Sequence, residues 1–162
     1  MKPWTGIAIA AAVLALDRLT KVWVEARVGV YDTIVVAPGL FNIVHSENRG
    51  MAFGIGNDGA TPFTRIVLIA VSLVILGVLA WGFRSARHTA HPSDALALFV
   101  VASGALGNLY DRIVYGQVTD FLDVYVGTHH WPTFNVADSA ITVGAIWIAL
   151  NALRERQRTV AA

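Results

Sequence analysis

Cysteine is missing altogether from this chain of 162 residues. Its absence excludes disulfide staples, a thiol nucleophile and thiolate metal sites, and it leaves the redox compartment open. Charge is scarce as well: Asp, Glu, Lys and Arg make up 14% of the residues, against about 25% in a soluble domain. Lys and Arg number 12 and Asp and Glu 11, a net charge of +1. No basic stretch is interleaved with aromatics, so nucleic acid is set aside as a partner. What abounds is apolar surface, with 56% hydrophobic residues and a mean hydropathy of +0.58. The length suits one domain, residues 1–162, and the composition suits one that lies in a membrane.

A helix that crosses the hydrocarbon core needs about 20 mostly apolar residues. Four stretches meet or approach that: 4–24, 63–83, 94–113 and 136–153. Met1, Lys2 and the apolar run Ile7 to Leu16 look like a secretory signal, but Asp17-Arg18-Leu19-Thr20-Lys21 follows where a cleavage site would want small residues. The first stretch is therefore expected to be an uncleaved span. The third is rich in Ala, Ser and Gly, which lets helices approach closely, and so is expected at the centre of the bundle.

Cations set the expected orientation. The short connection 84–93 carries Arg84, Arg87, His88 and His91, and the C-terminal end carries Arg154, Arg156 and Arg158. Residues 114–133 contain neither Lys nor Arg. By the positive-inside rule both termini face the cytoplasm, and segments 25–62 and 114–135 face outward, to the periplasm of a Gram-negative cell. In the first of these, Thr33 to Val36 and Leu40 to Val44 flank Pro38-Gly39 and predict two short strands joined by a turn. The fold expected is an all-α membrane protein, a four-helix transmembrane bundle with a small periplasmic β-sheet.

Ionisable groups in such spans are costly and mark pairing or function. Asp17 and Lys21 are four apart, on one helix face, which suits an ion pair or a brace for a site. Asn108 and Arg112 repeat the spacing on the third span, with Asp111 beside them. Arg112 suits snorkelling to the interface, whereas the Asn108 amide needs partners. Asp138 stands near the start of the fourth span, Asp120 and Asp123 in the loop before it, and Asn48-Arg49-Gly50 in the other outer loop. All gather at one membrane face.

Two carboxyls held close cannot both ionise cheaply, so one acts as acid while the other acts as base. Such a pair can activate water and protonate an amide leaving group. Asp138 with either Asp120 or Asp123 would serve, and spacing does not choose between them. The plainer alternative for Asp138 is a helix N-terminal carboxylate with no chemistry. Gly-x-Ser-x-Gly and His-Glu-x-x-His are both absent; His45-Ser46-Glu47-Asn48 lacks the second histidine. His129 and His130 are adjacent, which points their side chains apart, and they are expected as loop residues. Gly54 and Gly56 suit a mobile lid.

Five segments taken together resemble the motifs of the bacterial lipoprotein signal peptidase (signal peptidase II) family: Asp17 to Lys21, Asn48 to Gly54, Gly104 to Arg112, Val118 to Phe121, and Phe134 to Ser139. They stand in the family's order and spacing over nearly the whole chain. The resemblance implies an aspartyl endopeptidase that cuts diacylglyceryl-modified prolipoproteins immediately before the lipidated Cys. It implies Asp120 and Asp138 as the catalytic pair, in preference to Asp123. Asn48, Asn108, Arg112 and Asn135 would line the site, with Asp17, Lys21, Gly50, Gly104 and Ala137 supporting it. The partners implied are the prolipoprotein, membrane lipid and globomycin-like inhibitors; no metal or organic cofactor is implied. The alternative is a non-enzymatic small membrane module. A second family of intramembrane aspartyl proteases is disfavoured because its Gly-x-Gly-Asp is absent.

Overall fold

The computed structural model describes residues 3–50, 61–86 and 92–160. Gly54 and Gly56, where a lid was expected, lie outside these, as do Lys2, Arg87, His88 and His91. In chain order the elements are α1 (Pro3–Arg27), β1 (Thr33–Ala37), β2 (Phe41–Asn48), α2 (Pro62–Ala86), α3 (Pro92–Val114), β3 (Val118–Val126), β4 (His129–His130) and α4 (Val136–Val160). The C-terminal ends of α1 and α3 and the N-terminal end of α4 lie at the sheet.

Among the described residues, α2, α3 and α4 are long and apolar enough to cross a membrane. The first helix is as long as they are, but Asp17, Arg18, Lys21, Glu25 and Arg27 crowd its sheet-side half. The third helix is central, as its small residues predict, and packs against each of the other three. Its contact with α4 is set by glycine. A Cβ on Gly104 would collide with the Ala137 carbonyl, and one on Gly144 would stand 3.0 Å from the Ala97 carbonyl. Ala137 itself is completely buried.

The four strands lie in the order β1-β2-β3-β4, each antiparallel to its neighbour. The expected first hairpin is present. Leu40 N–H donates to the Ala37 carbonyl at 3.0 Å, and Gly39 has φ +81, the left-handed backbone that a Pro-Gly turn of this kind needs. Two expectations are corrected. Asp120 and Asp123 were expected in a loop but belong to β3, and His129 and His130 form β4. The segment Val118-Thr119-Asp120-Phe121-Leu122-Asp123-Val124-Tyr125-Val126 has the β-branched and aromatic content of a strand. Its acids disguise it, because a central strand covered on both faces does not alternate cleanly between polar and apolar.

Val24 and Val28 at the end of α1 pack with Phe121 as a buried cluster, joined by Ile43, Leu122 and Val136. This small core fixes the sheet to the bundle. The α3–α4 contact leaves so little room that Gly104→Ala should separate the two helices at Ala137. The expected result is a loss of roughly 1–3 kcal/mol, the usual cost of overpacking. A lower thermal midpoint in detergent together with reduced peptidase activity would record it; an unchanged midpoint would show that the helices can give way.

Candidate active site

The two carboxyls singled out from sequence reach one place by separate routes. Asp120 comes from the middle of β3, and Asp138 from the first turn of α4. The short link between these elements is pinned to the sheet: Phe121 and Leu122 donate backbone N–H groups to the Phe134 carbonyl at 3.0 and 2.8 Å, and Phe134 N–H donates to the Leu122 carbonyl. The next residue, Asn135, caps α4. Its side-chain oxygen accepts the Asp138 N–H at 2.9 Å, while Asp138 Oδ2 accepts the Asn135 N–H at 3.3 Å. This reciprocal pair is a capping box with an aspartate at its third position. The cap predicted as the plain role of Asp138 is thus real, and it aims the carboxyl toward Asp120.

Amide side chains complete the setting. Asn135 Nδ2 donates to Asp120 Oδ1 at 2.7 Å, and Asn48 Nδ2 to Asp120 Oδ2 at 2.9 Å. Asn108 Nδ2 donates to Asp138 Oδ1 at 2.7 Å. Asn48 is the last residue of β2 rather than a loop residue, and its own oxygen accepts the Gly50 N–H at 3.0 Å. Its place depends on a bulge. The register pairs Ile43 with Leu122 but Ser46 with Asp120, so β2 carries one extra residue between them. The slip puts Asn48 diagonally across from Asp120 on one sheet face. Without it Glu47 would take that position and add a third carboxylate.

Beneath the pair lies a second polar layer. Lys21 is completely buried, and its ammonium donates to Asp17 Oδ2 at 2.8 Å, Asn108 Oδ1 at 3.1 Å and Asp111 Oδ2 at 2.6 Å. Asp17 Oδ1 accepts the Ala137 N–H at 2.9 Å, so one carboxylate serves α1 and caps α4. Asp17 and Lys21 therefore pair with each other, and they also hold Asn108 and the start of α4, which touch or carry the two carboxyls. Asp111 is a partner that sequence reasoning left out. The available signal was its position three residues beyond Asn108, on the same helix face.

Arg112 is half-buried and lines the cavity. Its Nη1 donates to the Asn108 carbonyl at 3.3 Å, its Nε is buried without a hydrogen-bond partner, and no carboxylate lies within ion-pair reach among the described residues. That fits a cation kept off the two carboxyls. Asp123 is buried too, but it accepts from Asn42 Nδ2 at 2.9 Å and pairs with His130 Nδ1 at 2.8 Å. The structure thus brings Asp120, Asp138, Asn48, Asn108, Arg112 and Asn135 together, with Asp17 and Lys21 behind them, and leaves Asp123 in a separate sheet cluster. Among the described residues no group of His, Cys, Asp and Glu could hold a metal ion.

Asp120, Asp138, Asn48, Asn108 and Arg112 line one cavity of about 740 Å³. Its polar end lies at the sheet, and the rest runs between α2, α3 and α4 over Leu68, Ile75, Val101, Ala105 and Ile141. Trp131, Pro132 and Thr133 close one side and were not singled out from sequence. Burial, and then the charge of Asp138, push the Asp120 carboxyl from 3.8 up to about 6; the Asn48 and Asn135 amides and the Lys21 ammonium oppose the rise.

Two carboxyls at the head of an apolar cleft, in a bundle of membrane-length helices, define a membrane aspartyl hydrolase. The comparisons narrow this. Residues 9–154 match the family model of signal peptidase (SPase) II. The lipoprotein signal peptidase of Geobacter sulfurreducens is 47% identical over 162 residues, covering 98% of this chain and 98% of that protein. That of Solibacter usitatus is 41% identical over 158 residues, covering 96% and 94%. Two solved bacterial membrane enzymes, determined by the in meso method and each 30% identical, superpose with TM-scores of 0.85 and 0.82. The first match covers 97% of this chain and 92% of the other, the second 94% of each. The chain belongs to the signal peptidase II family and is a membrane peptidase.

The raised Asp120 value has a consequence for stability. Because the folded carboxyl holds its proton more tightly than its ordinary value of 3.8, its stabilising contribution is full below about pH 4 and is lost as pH rises through about 6. The displacement corresponds to roughly 3 kcal/mol at most. The thermal midpoint in detergent should therefore fall between about pH 4 and 6.5, and Asp120→Asn should flatten that fall. Parallel profiles for wild type and variant would mean that another group sets the dependence.

Proposed function

We propose that Asp120 and Asp138 are the proton-sharing dyad of this peptidase, and that its substrate is a prolipoprotein already carrying diacylglycerol on the Cys that follows the scissile bond. The observation that carries the reading is Asn135, which donates its amide to Asp120 and caps the helix that presents Asp138. One residue thereby fixes both carboxyls relative to each other. Two carboxyls so held titrate as a pair, and the raised Asp120 value lets them share one proton up to about pH 6.

In the reaction, the ionised carboxyl takes a proton from water and the resulting hydroxide adds to the scissile carbonyl carbon. The protonated carboxyl donates to the substrate. As the tetrahedral adduct collapses, the C–N bond breaks and the leaving amine takes a proton, releasing the signal peptide and leaving lipidated Cys as the new N-terminus. Arg112 stands at the edge of the site, where its cation favours negative charge developing on the adduct. The signal helix lies in the apolar cleft, and the lipid tails stay in the bilayer.

The same reading takes all four helices through the membrane, with both termini cytoplasmic and the sheet outside. The charges of α1 do not argue against this, because they are internally matched: Lys21 with Asp17 and Asp111, and Arg18 with Glu25. Cysteines introduced at Val126 and Arg154, both exposed, test the orientation. An impermeant maleimide should reach the first from the periplasm and not the second; the reverse pattern would invert the topology.

The chemistry is tested with purified protein and diacylglyceryl prolipoprotein. Asp120→Asn and Asp138→Asn should each lose at least about 100-fold in kcat, the lower end of what an acid or base supplies. Asp123→Asn should retain activity within severalfold, and a globomycin-like cyclic peptide should inhibit wild type by occupying the dyad. Cleavage that survives Asp138→Asn would assign the chemistry elsewhere. Equal cleavage of unlipidated substrate would remove the lipid from the recognition.

A further inference from the structure

The cleft has three walls of unequal firmness. The α3 and α4 walls are locked together by Gly104 and Ala137. The remaining wall, α2, packs against α3 and against no other helix to a comparable extent among the described residues. No residue of its apolar stretch is buried. Packing alone therefore holds this wall weakly in lipid, where no hydrophobic force presses helices together.

One polar contact compensates, at the end nearest the dyad. Arg65, in the first turn of α2, donates from Nε to the Arg112 carbonyl at 2.8 Å and from Nη2 to the Ile113 carbonyl at 2.7 Å. These belong to the last turn of α3, whose carbonyls have no partners within the helix. The Asp111 carbonyl is already taken by the Tyr115 and Gly116 N–H groups. Gly116, at φ +79, turns the chain off α3 and lets the guanidinium lie against it: a Cβ there would stand 3.4 Å from Arg65 Nη1. A planar cation on two carbonyls at the negative end of a helix satisfies hydrogen bonding and the helix dipole together. It also grips the backbone of Arg112, whose side chain lines the cavity.

We infer that Arg65 is a positioning residue for substrate: it latches the sheet-side end of α2 to the C-terminus of α3 and so sets the width of the cleft beside the dyad. Arg65 touches neither carboxyl and takes no part in the chemistry. The substrate aspect rests on the cleft's receiving the signal helix, as proposed above; the latch itself does not.

Because the chain lacks cysteine, spin labels can be placed in unique pairs. Ile66 with Ile146 reports the sheet-side separation of α2 and α4, and Val78 with Leu153 the opposite end; all four side chains are exposed. In Arg65→Ala the first pair should broaden and lengthen while the second keeps its wild-type distribution. Without labels, the same variant should raise KM for lipidated prolipoprotein about tenfold and leave kcat within about twofold, the pattern of lost uniform binding. Arg65→Lys keeps the cation but cannot span two carbonyls, so it should restore both readouts only in part. An unchanged sheet-side pair, equal broadening at both ends, a fall in kcat without a change in KM, or complete rescue by lysine would each overturn the latch. A wild-type protein that cleaves no lipidated substrate would defeat the proposed function, while the distance pairs would still decide the latch.

Discussion

The ammonium of Lys21 is sealed from solvent and shared among Asp17, Asn108 and Asp111. Taking such an ion out of water costs several kcal/mol, recovered only with close partners for every N–H. Each of its three donors has one. The partners lie on α1 and α3, and Asp17 passes the constraint to α4 through the Ala137 N–H. One cation thereby cross-links three helices at the depth where the dyad sits. Asn108 is the member that faces both ways: its oxygen is held by Lys21, which turns its amide toward Asp138. The orientation of the amide beside Asp138 is thus decided by a buried charge. Loss of Lys21 would do more than remove a contact, because buried Asp17 would lose its cation and Asp111 would keep only Arg18, at 3.4 Å.

The two carboxyls differ in how they are held. Asp138 is fixed by local sequence, through a cap that any helix starting Asn-x-x-Asp can form. Asp120 is fixed by long-range order, through the pairing of β3 with β2 and the pinning of Phe134 to Leu122. The site therefore exists only when the sheet is docked on the bundle. The small core of Val24, Val28 and Phe121 is what docks the sheet and so places Asp120. It also accounts for the burial that lifts the Asp120 value, since the same docking that orients the carboxyl removes it from water.

Much of this was legible in the sequence. The membrane-length helices α2 to α4, the first hairpin and the central place of α3 follow from apolar runs, a Pro-Gly turn and small residues. The gathering of Asp120, Asp138, Asn48 and Asn108 at one end follows from charge bias. The choice between Asp120 and Asp123 did not follow from spacing; it came with the resemblance to the family motifs. Asp123 is spoken for by Asn42 and His130, whereas Asp120 meets only amide donors in the cavity. Asn42 and Asn48 lie 81 and 72 residues from the acids they meet, on β2, and nothing local announces them. Strand β3 was hidden for the same reason: its acids are paid for by neighbours that only the folded sheet supplies.

The bulge in β2 shows how narrowly the arrangement is specified. Side chains on a strand alternate faces, so a slip of one residue exchanges the whole set presented to a neighbour. With the extra residue between Ile43 and Ser46, Asn48 meets Asp120 and Glu47 turns outward to Arg49. In the unbulged register a glutamate would stand beside the dyad. A third carboxylate there would strip the pair of the balance in which one group keeps a proton and the other does not. An amide in that place accepts no proton at neutral pH and donates to whichever oxygen carries charge. The irregularity in the sheet therefore decides which side chain meets Asp120, and the sequence Glu47-Asn48 has meaning only through a backbone defect several residues upstream.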